Sequence, residues 1–256
     1  MKIFVTSNGC ESTVFDSEKV KNSLLKNDNV VLSSKKEADV VVFHSCTFSQ
    51  QKEDESHDII LNLLKTQSKK IIISGCYLRE NVNDERLHFV KNGDLPQFLN
   101  NIWELNYVNE KKGVDISDIA LLPIVSISRG CYGNCTFCSI KSVKGSHKSR
   151  SIEDIIKDIE LRSFHGYVKL VGEEVAGYGR DLGINLKTLV DKIVSHFPTL
   201  KIKFGSLNAK LLKKYSDDEL SIFSYPNISG NVHIPIQSAS NAVLAKMQRG
   251  YTIEEY

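Results

Sequence analysis

Three short runs, "KIFVTS" (2–7), "ADVVVFHS" (38–45) and "KKIIISG" (69–75), constrain the fold more than anything else in this chain. Each is rich in β-branched or aromatic residues and lacks the polar alternation of a half-exposed strand, so each reads as a strand buried on both faces. Between them lie two helical patterns, "FDSEKVKNSLLKN" (15–27) and "EDESHDIILNLLKTQ" (53–67). Buried strands separated by helices pair in parallel, with the helices covering the sheet. The segment "FLNNIWEL" (98–105) suits helix or strand, and "NEKKGVDISD" (109–118) is polar and turn-rich. A domain boundary belongs there, giving domains of residues 1–118 and 119–256.

A second series starts at "LPIVSIS" (122–128) and continues with strands at 166–172, 200–206 and 231–238. Helices are expected at 151–164, 185–197, 216–224 and from 241 to 248. Ser151 caps the first of them, with Asp154 at the capping-box position, and Pro198 follows the second. The fold class is therefore α/β in both parts.

The six cysteines fall at the ends of the expected strands. Cys10, Cys46 and Cys76 follow the first three, and in a parallel sheet those ends lie along one edge, where distant residues converge. Cys131, Cys135 and Cys138 form C-x3-C-x2-C in the loop after the first strand of the second series. Three thiolates can hold three irons of a [4Fe-4S] cluster and leave the fourth open. The alternatives are a zinc site completed by a distant histidine such as His147, and, for the first triad, three separate buried thiols.

Net charge is +2, which gives no strong electrostatic argument for nucleic acid, although Arg129, Lys141, Lys144, Lys148 and Arg150 gather near the cysteine loop. They could meet phosphates or form a solvated face. No apolar run reaches the roughly 18 residues of a membrane span, and "MKIFVTSNGC" has no signal-peptide pattern. The cytoplasm, where thiols stay reduced, is the expected location.

The spacing and the aromatic Phe137 resemble radical S-adenosylmethionine enzymes. The two triads together resemble their methylthiotransferase family, through "NGCESTVFDSEKV" (8–20), "HSCTF" (44–48), "SGCYL" (74–78), "RGCYGNCTFCSIKSVKGSHKSR" (129–150), "LVGEEVAGYGRDLG" (170–183) and "HIPIQSASNAVLAKMQRGYTIEEY" (233–256). The stretch "EEVAGYGRD" is most similar to the branch acting on N6-threonylcarbamoyladenosine in tRNA.

The resemblance implies an N-terminal three-layer domain binding one [4Fe-4S] cluster through Cys10, Cys46 and Cys76. It implies a radical SAM (β/α) partial barrel binding another through Cys131, Cys135 and Cys138. S-adenosylmethionine would be cleaved to a 5′-deoxyadenosyl radical, and the N-terminal cluster would carry a methylated sulfide to the substrate. Glu173 and Glu174, of which only one can point into the barrel, and Gln237 and Ser238 match cofactor-contacting positions; a solvated turn and strand-end hydrogen bonding are their ordinary alternatives. His233 also lies in the last motif. The implied partners are tRNA and an electron donor such as flavodoxin or ferredoxin.

The chain departs from the family at Thr13, where asparagine is usual, and at His44-Ser45, where "NT" precedes the cysteine. Set against the resemblance, four expected strands in place of six imply an incomplete barrel, and the expectation is a truncated radical SAM domain without the family's RNA-binding TRAM domain. Such an open barrel edge is expected to invite association. Two other readings stand: a protein or peptide side chain as substrate, and a truncated cluster-binding protein without turnover.

Overall fold

The computed structural model describes residues 1–103 and 123–256, apart from 26, 28, 78, 80, 92 and 93. The chain divides into two compact units, Met1–Ala120 and Leu121–Tyr256. The segment 109–118 lies outside the described residues.

The first unit contains β1 (Lys2–Ser7), α1 (Glu11–Leu24), β2 (Val31–Leu32), β3 (Val40–Ser45), α2 (Gln50–Leu64), β4 (Lys70–Gly75), β5 (Leu87–Phe89) and α3 (Leu95–Trp103). All strand pairs are parallel, in the order β2-β1-β3-β4-β5. The alternation of side chains along each strand divides the core into two layers. Ile3, Val5, Val40, Val42 and Ile72 pack with Val20 and Leu24 of α1 and with Leu95 and Leu99 of α3. Val41, Phe43, Ile71 and Ile73 pack on the other face with Ile60 and Leu63 of α2. This is the expected three-layer arrangement. Full burial of a side chain such as Ile60 contributes about 1.5–3 kcal/mol.

Helix α1 starts four residues before its expected beginning. The run Glu11–Val14 is helical, with Cys10 at an N-cap that makes no side-chain hydrogen bond, and Ser12 and Thr13 are buried despite their polarity. The ambiguous segment near residue 98 is helical as far as Trp103. The three-residue strand β5 was not expected: its residues are only half-buried and lack a buried-strand signature.

The second unit contains β6 (Ile124–Ser126), β7 (Ser128–Arg129), α4 (Ile140–Lys144), β8 (Lys148–Ser149), α5 (Ile152–Glu160), β9 (Tyr167–Val171), α6 (Leu186–His196), β10 (Lys201–Phe204), α7 (Ala209–Leu212), α8 (Asp217–Leu220) and α9 (Asn241–Lys246). Parallel strands in the order β10-β9-β6 form its sheet, and β7 and β8 make a short antiparallel ladder. Ile155, Ile159, Leu189, Val190 and Ile193 of α5 and α6 pack into the sheet's core. Ser151 Oγ accepts from Asp154 N, as its capping position predicts.

The expected strand at 231–238 does not form. The chain reaches β10 by one isolated parallel bridge, Ile202 to Ile228, and by Leu207 N–H donating to His233 O. Pro235 has no N–H to extend a ladder, although Val232 and Ile234 still pack against the core. Among the described residues no helix is long and apolar enough to cross a membrane.

Candidate functional site

The parallel register of the first unit brings its cysteines to one edge. Ser7 is paired with His44, His44 with Ser74, and Ser45 with Gly75. Cys46 and Cys76 each follow a paired residue, and Cys10 ends the loop after β1. The Cys10 and Cys46 side chains share a hydrogen bond, and Cys76 is close enough to act on Cys46 electrostatically. The bond from Cys10 holds the Cys46 thiol down at about 6, against burial and with help from Phe48 N–H. The same bond, then burial, pushes Cys10 up. The bond thus favours the thiolate form at Cys46, the form in which a cysteine binds metal.

A buried polar scaffold fixes these thiols. Ser56 Oγ of α2 donates to Cys46 O at 2.8 Å and accepts from Asn8 Nδ2 at 3.0 Å, while Cys46 N–H donates to Asn8 Oδ1 at 3.1 Å. Thr47 Oγ1 donates to Cys76 O. The two departures from the family pattern prove to be joined. Thr13 Oγ1 donates to Cys10 O, Ser17 Oγ donates to Thr13 O, and Ser17 Oγ shares a 2.9 Å hydrogen bond with buried His44 Nδ1. Thr13 and His44 thus form one connected support beneath Cys10.

In the second unit the loop 130–139 carries the other three cysteines. Gly133 N–H donates to Cys131 Sγ at 3.1 Å, and a Cβ placed on Gly133 would lie 3.2 Å from Cys131 Sγ and 3.6 Å from Cys135 Sγ. The two sulfurs thus flank Gly133 closely, and an added methyl would crowd Cys131 Sγ. Glu174 is buried, with Oε2 3.9 Å from Cys131 Sγ and accepting from Asn208 Nδ2 at 2.9 Å. Its Oε1 is buried without a hydrogen-bond partner. Burial pushes the Glu174 carboxyl up, opposed by Asn208 and Arg249. Cys131 is raised to about 11, mainly by burial.

Glu173 turns elsewhere: its Oε2 accepts from Gly130 N–H at 3.0 Å, and its Oε1 lies 3.9 Å from the buried Lys144 Nζ. The side chains of the two glutamates therefore diverge, in the turn that follows β9. Gln237 is exposed at φ +69°, and Ser238 N–H donates to Ile236 O across it, a γ-turn that non-glycine residues rarely adopt. Ser238 Oγ accepts from Ser240 N–H. No sequence motif announces this turn; the positive φ reveals it.

Sequence reasoning also missed Arg249 and Asn208. Arg249 is buried, and its Nη1 donates to Cys135 Sγ at 3.2 Å. The loop is further tied to the end of α9, with Thr136 N–H and Oγ1 donating to Met247 O and Lys246 O. The "GYGRD" stretch clamps the basic tail: Asp181 accepts from Ser149 N–H and Oγ, and Tyr178 Oη donates to Arg150 O.

The basic residues fare differently. Arg150 binds Asp158 at 2.7 Å and Ser126 O at 2.6 Å, Lys144 is buried against Glu173, and Lys141 meets Asn134. Arg129, Lys144, Lys148 and Arg150, with Asp154, line an open cleft of about 450 Å³. His147 stacks on Tyr132 at 4.3 Å and meets Ser149 Oγ, while His233 is exposed.

Among the described residues no three His, Cys, Asp or Glu side chains converge on a point that would hold a single metal ion. An iron–sulfur cluster does not need that convergence, because each thiolate holds a different iron. The paired sulfurs, the N–H donors aimed at them and the orphaned carboxylate oxygen fit a cluster with a cationic organic cofactor beside it.

A sheet-edge cysteine loop of this kind defines a radical enzyme of the S-adenosylmethionine class. Residues 125–256 match the radical SAM superfamily, and the chain belongs to it. S-adenosylmethionine and an iron–sulfur cluster are the cofactors that go with this membership. Residues 2–92 match the uncharacterized protein family UPF0004. The whole chain is 27% identical to 64% of a probable threonylcarbamoyladenosine tRNA methylthiotransferase of Methanocaldococcus jannaschii. It is 29% identical to 68% of the threonylcarbamoyladenosine tRNA methylthiotransferase MtaB of Aquifex aeolicus. A tRNA-2-methylthio-N(6)-dimethylallyladenosine synthase of Thermodesulfovibrio yellowstonii is 28% identical, with 99% of this chain matching 63% of that protein. The chain thus spans roughly two thirds of these relatives' lengths. The fold is similar to that of the cobalamin-dependent S-adenosylmethionine radical enzyme OxsB, at TM-score 0.63 and 15% identity, over 99% of this chain and 46% of OxsB.

Proposed function

We propose that this chain is the catalytic part of a methylthiotransferase that adds a methylthio group to N6-threonylcarbamoyladenosine in tRNA. The observation that carries the reading is the pairing of two cysteine triads, one on the in-register strand ends of a UPF0004-like unit and one on a radical SAM loop. The names of the full-coverage relatives support the substrate.

In this reading residues 1–118 are the methylthiotransferase domain and residues 119–256 the radical SAM domain. Cys10, Cys46 and Cys76 hold one [4Fe-4S] cluster; Cys131, Cys135 and Cys138 hold the other. Bound S-adenosylmethionine supplies both the radical chemistry and the methyl group. Glu174, whose Oε1 is buried without a hydrogen-bond partner, accepts hydrogen bonds from the cofactor's ammonium group, and Glu173 fixes the start of the loop through Gly130 N–H. Gln237 and Ser238 contact the cofactor from the γ-turn. Lys148 and Arg129, at the basic cleft, meet tRNA phosphates. The protein works in the cytoplasm with an electron donor such as flavodoxin or ferredoxin, and the edge of its second sheet offers a surface for association.

Anaerobic reconstitution tests the cluster assignment. The wild-type chain should hold about eight irons, and replacing Cys131, Cys135 and Cys138 together by alanine should leave about four. The Cys10, Cys46 and Cys76 triple alanine variant should still cleave S-adenosylmethionine to 5′-deoxyadenosine but form no methylthio-nucleoside in tRNA, measured by mass spectrometry. Zinc in place of iron, or full iron in the first variant, would refute the assignment. Methylthiolation of a protein substrate with none on tRNA would refute the substrate.

A further inference from the structure

A chain of part-buried contacts closes a ring around the second cysteine loop. Cys131 Sγ lies 3.9 Å from Glu174 Oε2, which accepts from Asn208 Nδ2 at 2.9 Å. Asn208 Oδ1 accepts from Arg249 Nη2 at 3.4 Å, and Arg249 Nη1 donates to Cys135 Sγ at 3.2 Å. Arg249 Nε reaches Tyr251 Oη at 3.4 Å, and its guanidinium lies 5.5 Å from the Tyr251 ring centroid. These residues come from four separate parts of the chain, and Arg249 is only 6% exposed.

The ring has a directional logic. Asn208 stands between the carboxylate and the guanidinium and binds both, so Arg249 does not turn its fork wholly onto Glu174. One face of the guanidinium is left for the sulfur.

The backbone aims it. After α9, Gln248 N–H donates to Ala245 O and Arg249 N–H to Leu244 O, with Gln248 at φ +56°. This is a Schellman turn with glutamine in the left-handed position that glycine usually occupies. A buried cation and an N–H donor on a ligand sulfur both favour the more negative, reduced state of a cluster.

We propose that Arg249 is a positioning residue that holds a fixed positive charge on Cys135 and raises the reduction potential of the cluster on this loop. The inference rests on the reading that Cys131, Cys135 and Cys138 bind an iron–sulfur cluster.

The test is a redox titration followed by electron paramagnetic resonance, on full-length protein reconstituted anaerobically with Cys10, Cys46 and Cys76 replaced by alanine, so that one cluster is observed. Arg249→Met should keep about four irons but lower the equilibrium constant for one-electron reduction at least tenfold, or 59 mV to more negative potential. Arg249→Lys, which keeps the charge without the fork, should fall between it and the parent. Asn208→Ala should shift the same way by less, because Arg249 is then free to pair with Glu174. Arg249→Met at the parent's potential with full iron would overturn the proposal, as would Arg249→Lys falling as far as Arg249→Met. Should Arg249→Met fail to take up iron, Asn208→Ala decides: a negative shift supports the proposal, and an unchanged potential overturns it. A parent protein that binds no cluster on this loop would refute instead the reading beneath.

Discussion

Gly75 ends β4 immediately before Cys76, and replacing it by alanine should cost the first unit both stability and iron. Its φ of +96° lies where a side chain is strained, costing about 1–2 kcal/mol. The added methyl would fall 2.4 Å from Ser45 O and 2.8 Å from Ser45 N, both backbone atoms. Ser45 and Gly75 are register partners, so relief requires β3 and β4 to part locally, by about 1 Å to restore ordinary contact. Overpacking of that kind costs about 1–3 kcal/mol, for a total of roughly 2–5 kcal/mol. The same movement separates Cys46 from Cys76.

The control is Gly166→Ala, at φ +71° with nothing within 4 Å of the added carbon, where the backbone cost of about 1–2 kcal/mol acts alone. Urea unfolding measures both, with hydrogen exchange at β3 and β4 assigning the Gly75 loss to the first unit. Iron should fall from about eight toward about four per chain in Gly75→Ala only. The reasoning fails if Gly75→Ala matches Gly166→Ala in stability and keeps full iron.

Two further outcomes are expected. Burial, and then repulsion from Lys70, hold the His88 imidazole below its ordinary value of 6.5. The folded state therefore disfavours the imidazolium: stability is full above the unfolded value and is lost as pH falls through it toward the depressed folded one. His88→Phe, which keeps an aromatic ring against Phe98 at 5.6 Å, should flatten the stability loss of the first unit between pH 7 and 5; an unchanged slope would discount His88. Gln248→Gly should relieve about 1–2 kcal/mol of left-handed strain against about 0.5–1 kcal/mol of added chain entropy. The net gain of about 0–1.5 kcal/mol should show in the urea midpoint, and a loss would mean that the Gln248 side chain has a packing role.

The parts of the fold that could be read from sequence are those whose signal is local. "KIFVTS", "ADVVVFHS" and "KKIIISG" announce buried strands, and their alternation with helices forces the parallel order that gathers Cys10, Cys46 and Cys76 at one edge. Two-residue strands such as β7 and β8 have no such signature, because a short ladder depends on the neighbouring loop. The segment 231–238 has strand-like alternation, but Pro235 and the single bridge at Ile228 decide against a strand. At the candidate site the cysteines are legible by spacing, whereas Asn208 and Arg249 are not. One is the N-cap of a four-residue helix and the other follows a Schellman turn, so both read as punctuation until packing brings them to Cys131 and Cys135.

The two triads are built by different physical means, and that difference predicts how each tolerates change. In the first unit Cys46 and Cys76 extend adjacent strands whose register is fixed by two buried faces, so side-chain substitutions nearby should shift the thiols little unless they part the strands. In the second unit the loop takes its shape from contacts to Glu173, Lys246, Met247 and Arg249, each far away in sequence. No hydrogen-bond ladder spans that loop, so single remote side chains set the surroundings of its sulfurs. The first triad is therefore sensitive to backbone geometry, at Gly75 above all. The second is sensitive to charge and hydrogen bonding at a distance, which is where a cluster's potential is tuned.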